Sequence, residues 1–226
     1  MHAAVNRECK TVRAVAGIFD ASTLGKIEVV GPDAAEFLNL MYTNPFLKLA
    51  VGGLRYGIMC RDDGFIYDDG VVGRIAEDRF HVTTTTGGAP RVLNHMEDYL
   101  QTEFPHLKVW LTSTSEQWAT IGVPGPKSRE IIAPLVEGID MSDEAMPHMT
   151  MREGLICGVP TRLFRMSFSG ERGFEINVPP AHARMVWDAI WARGEPMGMC
   201  AYGTEAMHVL RAEKGYIIVG QETDGT

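Results

Sequence analysis

The sequence predicts an α+β fold in which antiparallel sheets and helices form a unit that occurs twice. Three pairs of segments are each separated by 94 residues: Ile27–Glu36 with Ile121–Glu130, Phe80 with Phe174, and Val92 with Val186. Several matches at one offset indicate a duplicated supersecondary unit. Strong turn signals between short β-rich runs, and apolar residues at helical spacing, favour hairpins packed with helices rather than a doubly wound sheet. We predict pseudo-repeats of approximately 17–110 and 111–226.

The first copy begins with the β-rich run Lys26–Val30, after which Gly-Pro introduces a helix. Proline suits a first helical position because its φ is fixed and its missing N–H needs no partner there. Ala34, Phe37, Leu38 and Met41 then follow at helical spacing.

Two strands of the first copy, Tyr56–Cys60 and Phe65–Ile75, are predicted to form a hairpin through the turn signal Arg-Asp-Asp-Gly. A second turn at 77–78 leads into Phe80–Thr84. A helix is then expected over Ala89–Gln101.

The second copy repeats this order. Its β-rich runs are Trp118–Val123 and Arg162–Phe168, and its helix spans Pro180–Arg193. A last helix is expected over Thr204–Glu213, with Gly215 as its stop.

Composition and the pattern of apolar residues limit which partners and which cellular location we expect. The 226 residues are 45% hydrophobic and carry a formal charge of −8, with a pI of about 5.4. This acidic balance argues against nucleic acid as the main partner. No apolar run is long enough for a membrane span, and the first residues have no signal-peptide core, so we expect a cytoplasmic protein without a membrane partner.

Several familiar site motifs are missing from the sequence. Gly122–Ser128 resembles a phosphate-binding loop but lacks the required spacing, and no GxGxxG or GxSxG occurs. The histidines include no HExxH, so we predict no metal site. The four cysteines are far apart and are expected to be free thiols.

Five motifs, in order, resemble the folate-binding core of the glycine-cleavage T-protein (aminomethyltransferase) family, and in particular its sarcosine oxidase branch. They are Gly17–Glu28, Asp63–Gly70, Glu116–Ala119, Ser169–Glu175, and Leu210–Gly215 with Val219–Gly225. The resemblance covers essentially the whole chain and implies the aminomethyltransferase folate-binding fold. The family's C-terminal β domain, and the flavin- and dinucleotide-binding region of the sarcosine oxidase branch, are expected to lie outside this sequence. The family's Gly-Tyr-Thr-Gly-Glu reads Ser-Phe-Ser-Gly-Glu here, so the tyrosine hydroxyl is lost at Phe168.

The resemblance implies a site for tetrahydrofolate. Asp68 corresponds to the family's acidic residue near the reacting nitrogens and is the catalytic candidate. Glu171 is the candidate for the pterin edge, whose adjacent N–H donors suit a carboxylate. Arg211 and Tyr56 are further candidate cofactor-binding residues. We expect Asp68 and Glu171 to face one cavity.

Each of these residues also has an ordinary structural interpretation. Asp68 could belong to a charged hairpin arm, and Glu171 could be a solvent-facing turn residue. Arg211 could form a helix-end salt bridge with Glu205 or Glu213, and Tyr56 could pack in the core.

The function implied by the resemblance is capture of the one-carbon unit of oxidised sarcosine as 5,10-methylenetetrahydrofolate. Flavin and NAD would bind elsewhere in the parent complex, and the partners would be folate and other sarcosine oxidase subunits. The alternatives are a T-protein-like aminomethyltransferase, which takes its substrate from a lipoyl carrier, and a non-catalytic folate-binding module.

Overall fold

The structure is a computed structural model and describes residues 2–223. Asp224 and Gly225, which end the last of the five motifs, lie outside the described residues. In chain order the helices and strands are α1 (His2–Ala14), β1 (Gly17–Asp20), β2 (Gly25–Val30), α2 (Ala34–Met41), β3 (Leu54–Cys60), β4 (Ile66–Ala76), β5 (Arg79–Thr84), α3 (Ala89–Thr102), β6 (Trp110–Ser113), β7 (Ala119–Pro124), α4 (Ser128–Ile132), β8 (Val136–Glu137), β9 (Thr150–Ile156), β10 (Val159–Arg165), β11 (Gly173–Val178), α5 (Pro180–Gly194), β12 (Cys200–Ala201) and α6 (Thr204–Glu213). Short 3-10 helices lie at Ser115–Gln117, Ala133–Leu135 and Glu195–Met197.

The predicted α+β class with antiparallel sheets is confirmed. The described chain forms two compact units, one of residues 2–22 with 117–217 and the other of residues 23–116 with 218–223. We call them the seven-strand unit and the five-strand unit after their sheets. The predicted duplication stays a prediction.

The seven-strand unit has the sheet order β12-β1-β7-β11-β10-β9-β8, in which β1 and β12 run parallel and the other pairs antiparallel. Strand β7 is buried at every position. The core combines apolar residues of β7, β11 and α5, among them Ile121, Ile176, Val186 and Ile190. This packing fixes the start of β11 and therefore the turn that precedes it.

The five-strand unit has the antiparallel order β3-β4-β5-β2-β6, with α2 and α3 against one face. Alternate residues of β2 and β5, such as Ile27 and Val82, point into this core, because successive strand residues face opposite sides. The turn predicted between β3 and β4 is confirmed: Arg61 N–H donates to Phe65 O at 2.9 Å, and Gly64 has a φ of +86°. This hairpin determines the register of β4.

The predicted last helix is confirmed over Thr204–Glu213, and Gly215 follows it with a φ of +79°. Two details of the prediction were wrong. The strand expected to reach Phe168 ends at Arg165, because Gly170 adopts a φ of +76° and Ser169 N–H donates to Ser167 Oγ, which turns the chain. Pro32 lies two residues before α2 rather than at its first position.

Candidate functional site

Asp68 lies on β4 of the five-strand unit, where the hairpin register pairs it with Met59. It occupies the same face as Val72, which belongs to the core, and the residue is only 2% exposed. The next residue, Asp69, points to the opposite face, as expected for consecutive strand residues. The strand therefore separates the two carboxylates and withdraws Asp68 from water.

The carboxylate of Asp68 accepts hydrogen bonds from Thr85, the residue that follows β5. Thr85 donates its hydroxyl to Oδ1 at 2.6 Å and its backbone N–H to Oδ2 at 3.1 Å. Gly88 packs so closely that a Cβ there would lie 2.5 Å from Asp68 Oδ1. A Cβ at position 88 would therefore force the Asp68 carboxylate or the Thr85 hydroxyl to shift.

Burial raises the pKa of Asp68, because the charged form loses water. The two hydrogen bonds from Thr85, followed by the charge of Arg91, oppose that increase in pKa. Arg91 Nη2 lies 3.7 Å from Asp68 Oδ1, and the arginine side chain is about half exposed. The result is a carboxylate that is more basic than usual and has a fixed orientation.

Aromatic side chains accompany Arg91 at the start of α3. The guanidinium carbon lies 4.8 Å from the ring centroid of Tyr67, and Arg91 also donates to the Tyr67 carbonyl. His95 continues the cluster, 4.8 Å from Tyr67 and 4.5 Å from Tyr99 between ring centroids. Arginine and tyrosine together form a cation–π surface next to Asp68.

Tyr56 lies on β3 and contacts Asp69 rather than Asp68. Its hydroxyl donates to Asp69 Oδ2 at 2.6 Å, and burial together with this bond raises the pKa of Tyr56. Tyr42, which the sequence analysis did not single out, is 6% exposed, and its pKa is raised by burial and then by the charges of Asp68 and Asp69. The signal that could have identified Tyr42 is Gly57, which leaves room for its ring.

Glu171 belongs to the seven-strand unit and follows the Ser-Phe-Ser-Gly turn. Its Oε1 accepts a hydrogen bond from Arg13 Nη1 at 3.0 Å, and Lys214 Nζ lies 3.9 Å from the same oxygen. The glutamate side chain is 23% exposed. Glu171 is therefore a partly buried, ion-paired carboxylate.

Arg211 lies in the last turn of α6 and is 6% exposed. Its Nη1 donates to the carbonyl of Tyr216 at 2.9 Å. Glu213, considered above as a partner of Arg211, forms an ion pair with Arg13, whose Nη2 lies 2.8 Å from Glu213 Oε2. Phe168 stacks on Tyr216 with 6.1 Å between centroids and 16° between the planes.

A further carboxylate of the seven-strand unit, Glu175, enters the sequence analysis only as the last residue of the motif Ser169–Glu175. It lies on β11 opposite Phe164 and Gly122. Its charge contributes, after burial, to the raised pKa of Tyr202, whose ring lies 5.3 Å from that of Phe19. Glu175 therefore lies near a partly buried aromatic pair.

The predicted site residues thus fall into two groups. Asp68 and Tyr56 belong to the five-strand unit, and Glu171 and Arg211 belong to the seven-strand unit. Their common cavity stays a prediction. A shallow concavity of about 500 Å³ lies along α1 and includes none of them.

Residues 2–223 offer neither a metal-binding cluster nor a membrane-spanning helix. Within that range no three histidine, cysteine, aspartate or glutamate side chains are grouped so that they could hold a metal ion. Over the same range, no helix combines the length and the apolar character that crossing a membrane requires.

The family model described as the GCVT N-terminal domain matches residues 1–226. The sarcosine oxidase subunit alpha of Corynebacterium sp. (strain U-96) is 56% identical over all of this chain, which spans 24% of that protein. The aminomethyltransferase of Symbiobacterium thermophilum is 32% identical over 98% of this chain and 59% of the relative. Among solved structures, the glycine cleavage system aminomethyltransferase T of Bartonella henselae has a TM-score of 0.82 at 26% identity, covering 95% of this chain and 55% of its own. The chain therefore spans about a quarter of the length of the sarcosine oxidase subunits that it matches.

Proposed function

We propose, because the chain belongs to the family of the GCVT N-terminal domain, that it is the tetrahydrofolate-binding part of a sarcosine oxidase alpha subunit. In that role it captures the one-carbon unit of oxidised sarcosine as 5,10-methylenetetrahydrofolate. The observation that carries the proposal is Asp68, a buried carboxylate with a raised pKa in a family motif.

The described residues fit a reduced folate in two respects. The pterin edge presents adjacent N–H donors, for which Glu171 offers an ion-paired carboxylate with unused lone pairs. Tetrahydrofolate supplies, when bound, a nucleophilic amine nitrogen. Asp68 then provides a base of raised pKa, and Thr85 keeps its two oxygens oriented.

The other two candidates have supporting roles in this proposal. Arg211 fixes the backbone at Tyr216 and contributes a buried positive charge. Tyr56 holds Asp69 on the face of β4 opposite Asp68, so that Asp68 alone acts on the reacting group. Flavin and NAD would bind elsewhere in the parent assembly, together with the other subunits. A cytoplasmic location, without nucleic acid or membrane partners, stays a prediction.

The test is a titration of the purified chain with tetrahydrofolate, followed by its tryptophan fluorescence. We expect Asp68→Ala combined with Glu171→Ala to abolish saturable binding. Asp98→Asn and Glu97→Gln, which change exposed carboxylates of α3, serve as matched controls and should bind as the wild type does. Unaltered binding by the double variant contradicts the assignment. A loss with Glu175→Gln but not with Glu171→Gln would move the pterin edge to Glu175.

The similarity to aminomethyltransferases favours a second candidate, transfer of an aminomethyl group from a lipoyl carrier. An assay of one-carbon transfer on the full-length protein separates the two reactions. Dependence on flavin and sarcosine supports the first, and dependence on a lipoyl carrier supports the second. Folate binding without turnover would indicate a non-catalytic module, for which the loss of the tyrosine hydroxyl at Phe168 is the supporting observation.

A further inference from the structure

Three arginines of the seven-strand unit gather around one aspartate, away from the residues assigned to folate. Arg129 lies in α4, Arg165 ends β10, and Arg172 directly precedes β11. The aspartate is Asp143, in the segment between β8 and β9. We propose that these four side chains, which we call the arginine cluster, form a binding site for a small oxyanion of the phosphate class. This inference goes beyond the proposed function and does not depend on it.

Asp143 contacts two of the three guanidiniums directly. Arg129 Nη1 lies 2.7 Å from Asp143 Oδ1, and Arg172 Nη2 donates to the two carboxylate oxygens at 3.1 and 3.2 Å. The hydrogen bond from Arg129, followed by the charges of the three arginines, lowers the pKa of Asp143. One carboxylate therefore faces three guanidiniums, and these four side chains carry an excess of two positive charges.

Arg165 is the member of the cluster that most needs a counter-charge. It is 8% exposed, and its Nε has no hydrogen-bond partner among residues 2–223. Its Nη1 donates to the carbonyl of Gly173 at 3.4 Å, which is long for a hydrogen bond. Burial, followed by the charges of Arg172 and Arg129, lowers the pKa of Arg165. An anion nearby would stabilise a buried charge in this situation.

Arg129 and Arg165 are held next to each other by a buried ring. Their guanidinium carbons lie 6.0 and 5.3 Å from the ring centroid of Phe174, which is 1% exposed. In the described part of the chain, Nε and Nη2 of Arg129 are without a hydrogen-bond partner. Because like charges repel, fixing two cations on one ring is unfavourable unless negative charge compensates them. The charge of Arg165 also contributes, after burial, to the lowered pKa of His148.

An oxyanion can reach the cluster through its two outer members. The side chain of Arg172 is 37% exposed and that of Asp143 is 56% exposed. The planar fork of an arginine matches the oxygens of a phosphate or a carboxylate. The anion would therefore contact Arg172, whereas the buried Arg129 and Arg165 would attract it chiefly through their charge. Asp143 already occupies part of this site with a carboxylate of the chain itself.

The loop Gly122–Ser128, whose sequence resembles a phosphate-binding loop, supports this site without forming it. Gly125 N–H donates to the carbonyl of Arg172 at 2.6 Å, and Ser128 N–H donates to the carbonyl of Gly125 at 3.0 Å. These backbone donors are therefore used within the fold. The loop fixes the backbone of Arg172 and leads into the helix that carries Arg129, so that arginine side chains rather than loop amides would bind the anion.

The test is isothermal titration calorimetry of the full chain with inorganic phosphate, at an ionic strength kept constant with sodium chloride. We expect saturable binding that Arg172→Gln weakens about tenfold, because hydrogen bonds to charged groups are lost. Arg184→Gln and Asp188→Asn are the matched controls. They change an exposed ion pair of α5 in which the side chain of Asp188 is 55% exposed, close to the value for Asp143. Both controls should bind phosphate as the wild type does.

The substitution Asp143→Asn distinguishes a binding site from a purely structural ion-pair network. It removes the carboxylate that competes with the ligand, so phosphate binding should become about tenfold tighter. Thermal denaturation should show the same sign, with phosphate raising the Tm of Asp143→Asn more than that of the wild type or of Asp188→Asn. A structural network predicts instead that Asp143→Asn lowers the Tm and that phosphate gives no additional recovery.

Three results would each overturn the proposal. They are the absence of saturable phosphate binding in the wild type, wild-type affinity in Arg172→Gln, and no gain of affinity in Asp143→Asn. If circular dichroism shows Arg172→Gln to be unfolded, Arg172→Lys takes its place, since it keeps the charge but not the fork. Weaker binding by Arg172→Lys supports the proposal, and unchanged binding overturns it. Folate is absent from these titrations, so their failure leaves the proposed function as it stands.

Discussion

Asp68 of the five-strand unit is buried and Glu171 of the seven-strand unit is partly buried, and different groups hold the two carboxylates. Thr85 satisfies Asp68 with two neutral donors, and the nearest cation is half exposed at 3.7 Å. Glu171 is bound directly by the guanidinium of Arg13 at 3.0 Å. Burial raises the pKa of Asp68, and the bonds from Thr85 oppose that increase only in part. At Glu171 the guanidinium fixes the orientation of the carboxylate. The first arrangement suits a proton acceptor and the second suits a fixed hydrogen-bond acceptor.

The largest expected effect comes from closing the space around Asp68. Gly88→Ala places a Cβ 2.5 Å from Asp68 Oδ1 and 2.6 Å from Thr85 Oγ1, so the carboxylate or the threonine must move. We expect a loss of up to about 3 kcal/mol in the free energy of unfolding, together with weaker folate binding. Urea denaturation measures the first quantity and fluorescence titration the second.

Gly87→Ala is the matched control for this substitution, since a Cβ at that neighbouring position meets nothing within 4 Å. It should leave both measurements close to those of the wild type. Equal effects at positions 87 and 88 would show that helix initiation, rather than crowding of Asp68, is responsible.

A smaller effect is expected from removing one neutral donor. Thr85→Val deletes the hydroxyl that donates to Asp68 Oδ1 at 2.6 Å and retains the backbone N–H. Because the hydrogen bond lowers the pKa of Asp68, its loss should raise that pKa further. We expect a cost of about 1.5 kcal/mol at neutral pH, measured by urea denaturation. Thr86→Val changes an exposed neighbour and should cost little; a variant at position 85 as stable as that control contradicts the importance of the donor.

Sequence and structure agree best where the signal is local. The Arg-Asp-Asp-Gly turn and the glycine at 215 predict a hairpin and a helix end without any knowledge of packing, and both are present. The period of a strand likewise predicts that Asp68 and Asp69 face opposite sides.

The partners of the candidate residues could not be predicted in the same way. Thr85 is 17 residues from Asp68, and their contact depends on the register of the strands between them. Arg13 is 158 residues from Glu171 and lies in a helix that the sequence analysis did not predict. Residue types and motifs identify the carboxylates, but only the packed sheets determine what holds them.

The pH dependence of the free energy of unfolding tests the raised pKa of Asp68. Because the folded-state pKa of Asp68 lies above its ordinary value of 3.8, the native chain binds this proton more readily than the unfolded chain does. The stabilisation that comes from binding this proton is fully present below the unfolded-state pKa of Asp68. It is lost as the pH rises through the folded-state pKa. Relative to Asp68→Asn, which cannot ionise, the wild type should therefore lose stability as the pH rises above 3.8.

Other ionisable groups around Asp68 leave the sign of this difference unchanged. The charge of Asp68 contributes to the raised pKa of Asp69, so that the substitution also reduces the loss from Asp69. Arg91 lowers the pKa of Asp68, and Tyr42 has a pKa above its ordinary value. Urea denaturation at several values between about pH 4 and pH 7 measures the difference. Parallel profiles for the two proteins would contradict a raised pKa at Asp68.

The smallest effects are expected from the more distant cation beside each carboxylate, which is Arg91 for Asp68 and Lys214 for Glu171. Arg91 lies 3.7 Å from Asp68, Lys214 lies 3.9 Å from Glu171, and both side chains are more than 40% exposed. Exposed pairs at such distances contribute about 1 kcal/mol or less, and salt screens them. Lys214→Gln should therefore change the free energy of unfolding by less than Arg91→Gln, since Arg91 also packs on the ring of Tyr67. Urea denaturation in low and in high salt checks this order. A large loss in the free energy of unfolding of Lys214→Gln that persists in high salt would mean that Glu171 depends on both of its cations rather than chiefly on Arg13.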